Sequence, residues 1–321
     1  MLESKISGVK INMISTSLPT EKILVNNNTS HYIAGELQTS ADLGYDAAER
    51  IISNQSIGKE DIGILLFGSK TPDYRSPNTA AILQGRLGLS VDCICFDTNV
   101  GANGFIQMTQ VAAAILAKST SKYALVVIGD TPSKLQDRAA GINFELSDAA
   151  TAILLEKSSD HDVLEFFTYS SGDHYKGSSL KKGGFRNFNE NTPYDGSKSE
   201  NYIVNSESRD LQDFFEDVRP LIDDFLKDKE TAHFLNSFAL DHLHLNDHWK
   251  NERSIKADAS ELPLLLENAI KQELLQSNNL HLISAGEGMA LMGMKITYVP
   301  EILPVNYTLD YFKDYKISHE M

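Results

Sequence analysis

Cysteine is almost missing from this sequence: Cys93 and Cys95 are the only two in 321 residues. So few thiols exclude a disulfide scaffold and fit a reducing compartment. Two residues apart on one expected strand, they are badly placed for an unstrained bridge. Basic residues are outnumbered, with 29 Lys plus Arg against 44 Asp plus Glu, a net charge of −15 and a pI near 5.0. A nucleic-acid binder needs concentrated Lys and Arg, so that class is excluded. Docking of an acidic carrier would depend on a local basic patch, because the overall field repels it. Long apolar runs are missing too. No stretch of 18 apolar residues is present, so no membrane-spanning helix is expected. Residues 1–12 carry charges where a secretory leader has its apolar stretch, so no signal peptide is read and a cytoplasmic location is expected. What remains is 41% hydrophobic residues, enough for a core that buries about 75% of the unfolded surface at this length.

Apolar runs alternate with helical spacing. Residues 9–14, 62–67, 93–96, 123–128 and 149–155 read as short buried strands. Residues 40–53 read as a helix with Leu43, Ala47 and Ile51 on one face; 78–87, opened at Pro77-Asn78, and 104–117 read as two more. This rhythm predicts a mainly parallel sheet covered on both faces. Residues 157–208 break it with Gly, Ser, Asn and Asp and read as a polar excursion or lid. The first pattern then returns: helices at 210–226 and 260–275, strands at 238–245, 280–284 and 290–299. The divisions are a first half at 1–156, the excursion at 157–208, a second half at 209–300 and a tail at 301–321. The two halves share a plan without sharing sequence.

Several segments, in order, carry a resemblance. Thr71-Pro-Asp-Tyr-Arg-Ser-Pro-Asn-Thr-Ala80 is followed by Leu83-Gln-Gly-Arg-Leu-Gly88. Phe96-Asp-Thr-Asn-Val-Gly-Ala-Asn-Gly-Phe105 and Leu146-Ser-Asp-Ala-Ala-Thr-Ala152 come next, then Gly183-Gly-Phe-Arg186 and the run from Gly286-Glu-Gly288 to Gly293. Together they resemble the ketoacyl-acyl-carrier-protein synthase III family of the thiolase superfamily, over about residues 8–300. The resemblance implies an α/β, thiolase-like fold of five layers, α-β-α-β-α, built from two similar halves, and a dimer.

It also implies a reaction centre of Cys, His and Asn. The Cys belongs at a helix N-terminus, where the dipole lowers the thiol pKa. Counted without gaps, that position is Ala102, and a methyl group cannot attack a thioester. The His position falls on Asn246, or on His244 after a two-residue shift, and the Asn position on Lys256. Only nine residues separate Asn246 from Lys256, where the family has a helix, and residues 29–39 are shorter than the family segment that receives the coenzyme A adenine. A scaffold kept without its chemistry implies a catalytically deficient subunit, a homodimer or a heterodimer with a Cys-bearing relative. Acyl carrier protein or acyl-coenzyme A are the implied small partners. The alternatives are a thioester acyltransferase or hydrolase with His244 as base, and a module binding an acyl or aromatic ligand.

Pocket candidates are Asn99, Asn103, His242, His244, Gly286 and Gly288; carrier-contact candidates are Lys181, Lys182 and Arg186. His242, His244 and His248 have zinc-like spacing but few carboxylates beside them, so no metal is expected. Gly286-Glu287-Gly288 lacks the third glycine and following helix of a dinucleotide fingerprint and reads as a tight turn, so no cofactor is expected either. Asp148 reads as a turn cap. The stripe of Phe214, Phe215, Leu221, Ile222 and Phe225 reads as core.

Overall fold

The computed structural model describes residues 2–26, 29–55, 57–135, 146–177, 179–180, 204–205, 208–225, 233–236, 255–275, 279–286 and 289–309. The first half opens with β1 (Leu2–Ser7), β2 (Val9–Pro19) and the hairpin β3 (Glu21–Asn26) and β4 (Thr29–Ile33). It continues as α1 (Ser40–Gln55), β5 (Ile62–Gly68), α2 (Thr79–Leu87), β6 (Ile94–Thr98), α3 (Gly104–Lys118), β7 (Tyr123–Asp130) and β8 (Ala149–Lys157). After it come β9 (Val163–Ser170), the two-residue strands β10 (Ser179–Leu180) and β11 (Val204–Asn205), and α4 (Ser208–Phe225). The chain ends through β12 (His233–Asn236), α5 (Glu261–Lys271), β13 (Leu280–Gly286), β14 (Ala290–Ile296), β15 (Glu301–Ile302) and β16 (Asn306–Thr308).

Two sheets carry the molecule. One has seven strands in the order β15-β2-β8-β7-β5-β6, with β16 also on β2; the other has five in the order β1-β9-β14-β13-β12. Alternation along the strands of the larger sheet divides its side chains between two cores. Leu65, Phe67, Leu125 and Val127 meet α1 and α2 through Ala47, Ile51, Ala80 and Leu83. Ile64, Leu66, Val126 and Ile128 meet α3 through Phe105, Ile106 and Ala112. That second core also takes in Leu262, Leu265 and Leu266 of α5 and Leu282, Met292 and Met294 of the smaller sheet. On the far face of the smaller sheet, Phe214, Val218, Ile222 and Phe225 of α4 pack on Phe167, Ile283 and Leu291. The layers are α1 and α2, sheet, α3 and α5, sheet, α4: the expected α-β-α-β-α stack. Burying one Phe or Leu contributes about 1.5–3 kcal/mol, so these three clusters account for the cohesion of the layers.

The repeat of plan is visible in register. In the first half, α3 leads into β7, which pairs antiparallel with β8 and parallel with β5. In the second half, α5 leads into β13, which pairs antiparallel with β14 and parallel with β12. The sheets are mixed, and this corrects the expectation of a mainly parallel one. Only residues 287–289 join β13 to β14, too few for the crossover that parallel pairing needs.

Two strands of the smaller sheet were not foreseen: β1 is largely exposed, and β9, which buries Leu164, Phe166 and Phe167, lies within the stretch read as an excursion, yet pairs with both β1 and β14. The strand expected at 238–245 lies outside the described residues, as do all of residues 237–254; just before them stands β12, His233–Asn236, which was not foreseen either.

Candidate functional site

The turn from β6 into α3 brings the two halves together. Asn99 is exposed, Ala102 is 6% exposed and Asn103, at the N-cap of α3, is 5% exposed. Gly104 N–H closes the turn on the Gly101 carbonyl at 2.7 Å. The Asn103 side chain does not cap its own helix. Its Oδ1 accepts from Ser284 Oγ at 2.6 Å and its Nδ2 donates to the Ala290 carbonyl at 3.0 Å, tying the helix tip to the β13–β14 hairpin. Gly286 faces that amide so closely that a Cβ there would lie 2.9 Å from Asn103 Nδ2, which explains the glycine without invoking a nucleotide. Among the pocket candidates, the structure therefore brings Asn103 and Gly286 together and leaves Asn99 on the surface. His242, His244, Asn246, Gly288, Lys181, Lys182 and Arg186 lie outside the described residues.

The loop before α5 closes the other side. A Cβ on Gly104 would lie 3.1 Å from Ala259 Cβ, so residues 256–260 abut the α3 tip. Ser147 N–H donates to the Lys256 carbonyl at 2.7 Å, while the Lys256 side chain is exposed. Asp258 is buried and forms an ion pair with Lys70 of the loop after β5. Lys70 N–H and Ser69 Oγ both donate to Asp130 Oδ1, at 2.7 and 3.0 Å. Removing Lys70 would leave the buried Asp258 charge alone, at about 3–5 kcal/mol, so the pair ties the loop after β5 to the segment before α5. Sequence reasoning missed it, because two isolated charges 188 positions apart carry no spacing signal.

Both cysteines sit elsewhere. Cys93 and Cys95 pack against the α1–α2 core, on the sheet face opposite α3. Burial pushes the Cys93 thiol up to about 12, with the neighbouring Cys95 adding to the effect, and burial also raises Cys95. Both half-buried thiols are thus biased toward their protonated form.

The motif aspartates have architectural work. Asp97 accepts from the N–H groups of Thr79 (2.5 Å) and Ala80 (2.7 Å) and so caps α2 from the neighbouring strand. Asn78 holds the N-cap position where the helix was expected to open, but its amide donates to the Cys95 carbonyl and does not cap the helix. Asp148 is buried and receives Ala34 N–H, Ser133 N–H and Ser133 Oγ. It joins distant segments, beyond the local turn expected of it. Burial raises its pKa and the Ser133 and Ala34 donors pull it back. Among the described residues no group of three His, Cys, Asp or Glu could hold a metal, and no helix is long and apolar enough to cross a membrane.

Two half-folds clasped at a helix tip over five layers define a thiolase-like α/β protein. Residues 96–172 match the family model for 3-oxoacyl-[acyl-carrier-protein (ACP)] synthase III. The beta-ketoacyl-[acyl-carrier-protein] synthase III of Xylella fastidiosa is 32% identical over 173 residues, 47% of this chain and 52% of that protein. The Acholeplasma laidlawii protein of that name is 32% identical over 148 residues, 44% of this chain and 46% of its own. Each match thus spans about half the length of the curated relative. A crystal structure of 3-oxoacyl-(acyl-carrier protein) synthase from Burkholderia xenovorans superimposes with a TM-score of 0.81 at 22% identity, covering 96% of this chain and 99% of that one. Xanthomonas campestris OleA superimposes with a TM-score of 0.71 at 17% identity, over 91% and 99% of the two chains. Over about half its length the chain is thus similar to beta-ketoacyl-acyl-carrier-protein synthases III, and over nearly its whole length it shares their fold.

Proposed function

We propose that this chain is a ketosynthase-III-like subunit that forms no acyl thioester of its own and shapes the acyl site of a Cys-bearing partner in fatty-acid- or polyketide-like biosynthesis. The observation that carries the proposal is the methyl group of Ala102 at the α3 tip, with both thiols protonated on the opposite face of the sheet. A helix N-terminus stabilises a thiolate; here there is no sulfur for it to act on. The test is incubation of the purified protein with radiolabelled acyl-coenzyme A. No label should stay on the protein after denaturation, and stable labelling of any side chain would overturn the reading.

The partnership is supported by the free margin of the larger sheet. Among the described residues β6 is its edge, and unpaired edge backbone is a template for another chain. Ile94 on that strand is 48% exposed, and Val91 just before it is 89% exposed. The neighbouring loop, residues 70–78, presents Tyr74 at 61% exposure from a base fixed by Lys70–Asp258. We assign the β6 edge to a like chain and Tyr74 to the contact with that chain's site. Ile94→Lys should abolish co-purification with the partner while leaving the thermal midpoint of the lone chain unchanged. Undiminished co-purification would place the interface elsewhere.

A further inference from the structure

A cavity of about 310 Å³ lies along α1, on the side of the larger sheet away from α3. Its wall comes from three parts of the chain: α1, Arg86 of α2, and a strap that returns from the second half. In the strap, β15 and β16 run parallel to β2. Gln38 Nε2 pins its end through the carbonyls of Thr308 and Leu309, at 3.1 and 3.3 Å, and so sets the Leu309 side of the cavity.

Most of the charge in this wall is already committed. Arg86 Nη1 donates to Asp42 Oδ1 at 2.8 Å, and its guanidinium lies 4.6 Å from the centre of the Tyr45 ring. Arg50 donates from Nη1 to Ser15 Oγ at 3.0 Å and from Nη2 to the Pro304 carbonyl at 2.7 Å. Asp46 Oδ2 accepts from Ser17 Oγ and Asn306 Nδ2, at 2.5 and 2.7 Å. Glu49 is the exception. Its Oε2 is shielded from solvent and has no hydrogen-bond partner among the described residues. A shielded carboxylate oxygen without a donor costs free energy. With both guanidiniums bound to other acceptors, the donor it calls for is one that enters the cavity.

The charge balance says what kind of donor. Three carboxylates share the wall with two guanidiniums, and the whole chain carries −15, so a cation is favoured over an anion. Tyr45 and Leu309 add apolar surface beside the charged groups. The volume is at the lower end of the range for small-molecule sites, about 300–1,000 Å³. We propose that the cavity along α1 binds a small primary amine with an apolar body, its ammonium donating to Glu49 Oε2.

The test uses phenethylamine, with phenethyl alcohol as its uncharged counterpart, on the full chain at neutral pH, read by calorimetric titration and amide exchange. The amine should bind and slow exchange over residues 42–53. The alcohol should bind at least about tenfold more weakly, because it cannot make a charge-assisted bond. E49Q should weaken the amine by about tenfold or more and leave the thermal midpoint of the ligand-free chain unchanged, since Glu49 Oε2 has no bond to lose. No binding of the amine, equal binding of amine and alcohol, equal binding by E49Q, or unslowed exchange over 42–53 would each overturn the proposal. So would a lower ligand-free midpoint in E49Q, because that gives Glu49 a partner within the chain itself.

Discussion

Asp97 shows how a residue can be legible while its task is not. It stands in the run that carries the family resemblance, but only the structure shows its carboxylate capping α2 across 18 positions of sequence. Replacing it with Ala should cost about 1–2 kcal/mol, measured by chemical denaturation. An Asn78→Ala change should cost less, since Asn78 lends no side-chain cap to that helix. Ala102 was legible in both identity and place, because a helix start is fixed by its neighbours in sequence. The cysteines give a test with a clear sign. Burial raises the Cys93 thiol to about 12, so the alkylating thiolate is scarce at neutral pH and grows only on strong alkalinisation. Iodoacetamide labelling of Cys93 should therefore stay slow through pH 8 and climb steeply above pH 10. Fast labelling at pH 7 would contradict a half-buried thiol held protonated.

At the scale of elements, what could be read followed hydrophobic period. α1, α2, α3 and α5 start within a residue of where the spacing puts them, because each has a continuous apolar face against a sheet. β1 escaped because it is largely exposed and its sequence looks polar, and β9, though it buries Leu164, Phe166 and Phe167, because it lies inside a stretch of polar composition. β12 escaped because its four residues leave too short a pattern against the apolar stretch that follows. β9 also fixes a packing rule for the second half. A Cβ on Gly293 of β14 would lie 1.8 Å from the ring of Phe167, its cross-strand neighbour. Gly293→Ala should lose about 1–3 kcal/mol of stability through overpacking, and Phe167→Leu in the same chain should restore part of it. No recovery in the double variant would mean that the glycine serves something other than room for that ring.

For the whole molecule, the layer order followed from counting alternating elements, whereas the contacts that clasp the halves did not. Lys70 with Asp258, and Asn103 with Ser284 and Ala290, are pairings between distant parts of the chain that no local pattern announces. The site was therefore half legible: its tip was found by motif, its surroundings only by structure. The clasp makes a joint prediction for both halves. Lys70→Ala should destabilise by about 3–5 kcal/mol, and K70A/D258A by less, because no buried charge is then left alone. A double variant worse than either single one would remove the pair from this role.

The returning strap has a consequence for assembly. By lying on β2, β15 and β16 cap one border of the seven-stranded sheet with the protein's own chain and leave β6 at the other border. Among the described residues that is the one unblocked border, and an assembly built through it would close at a pair where two open borders would let a filament run on.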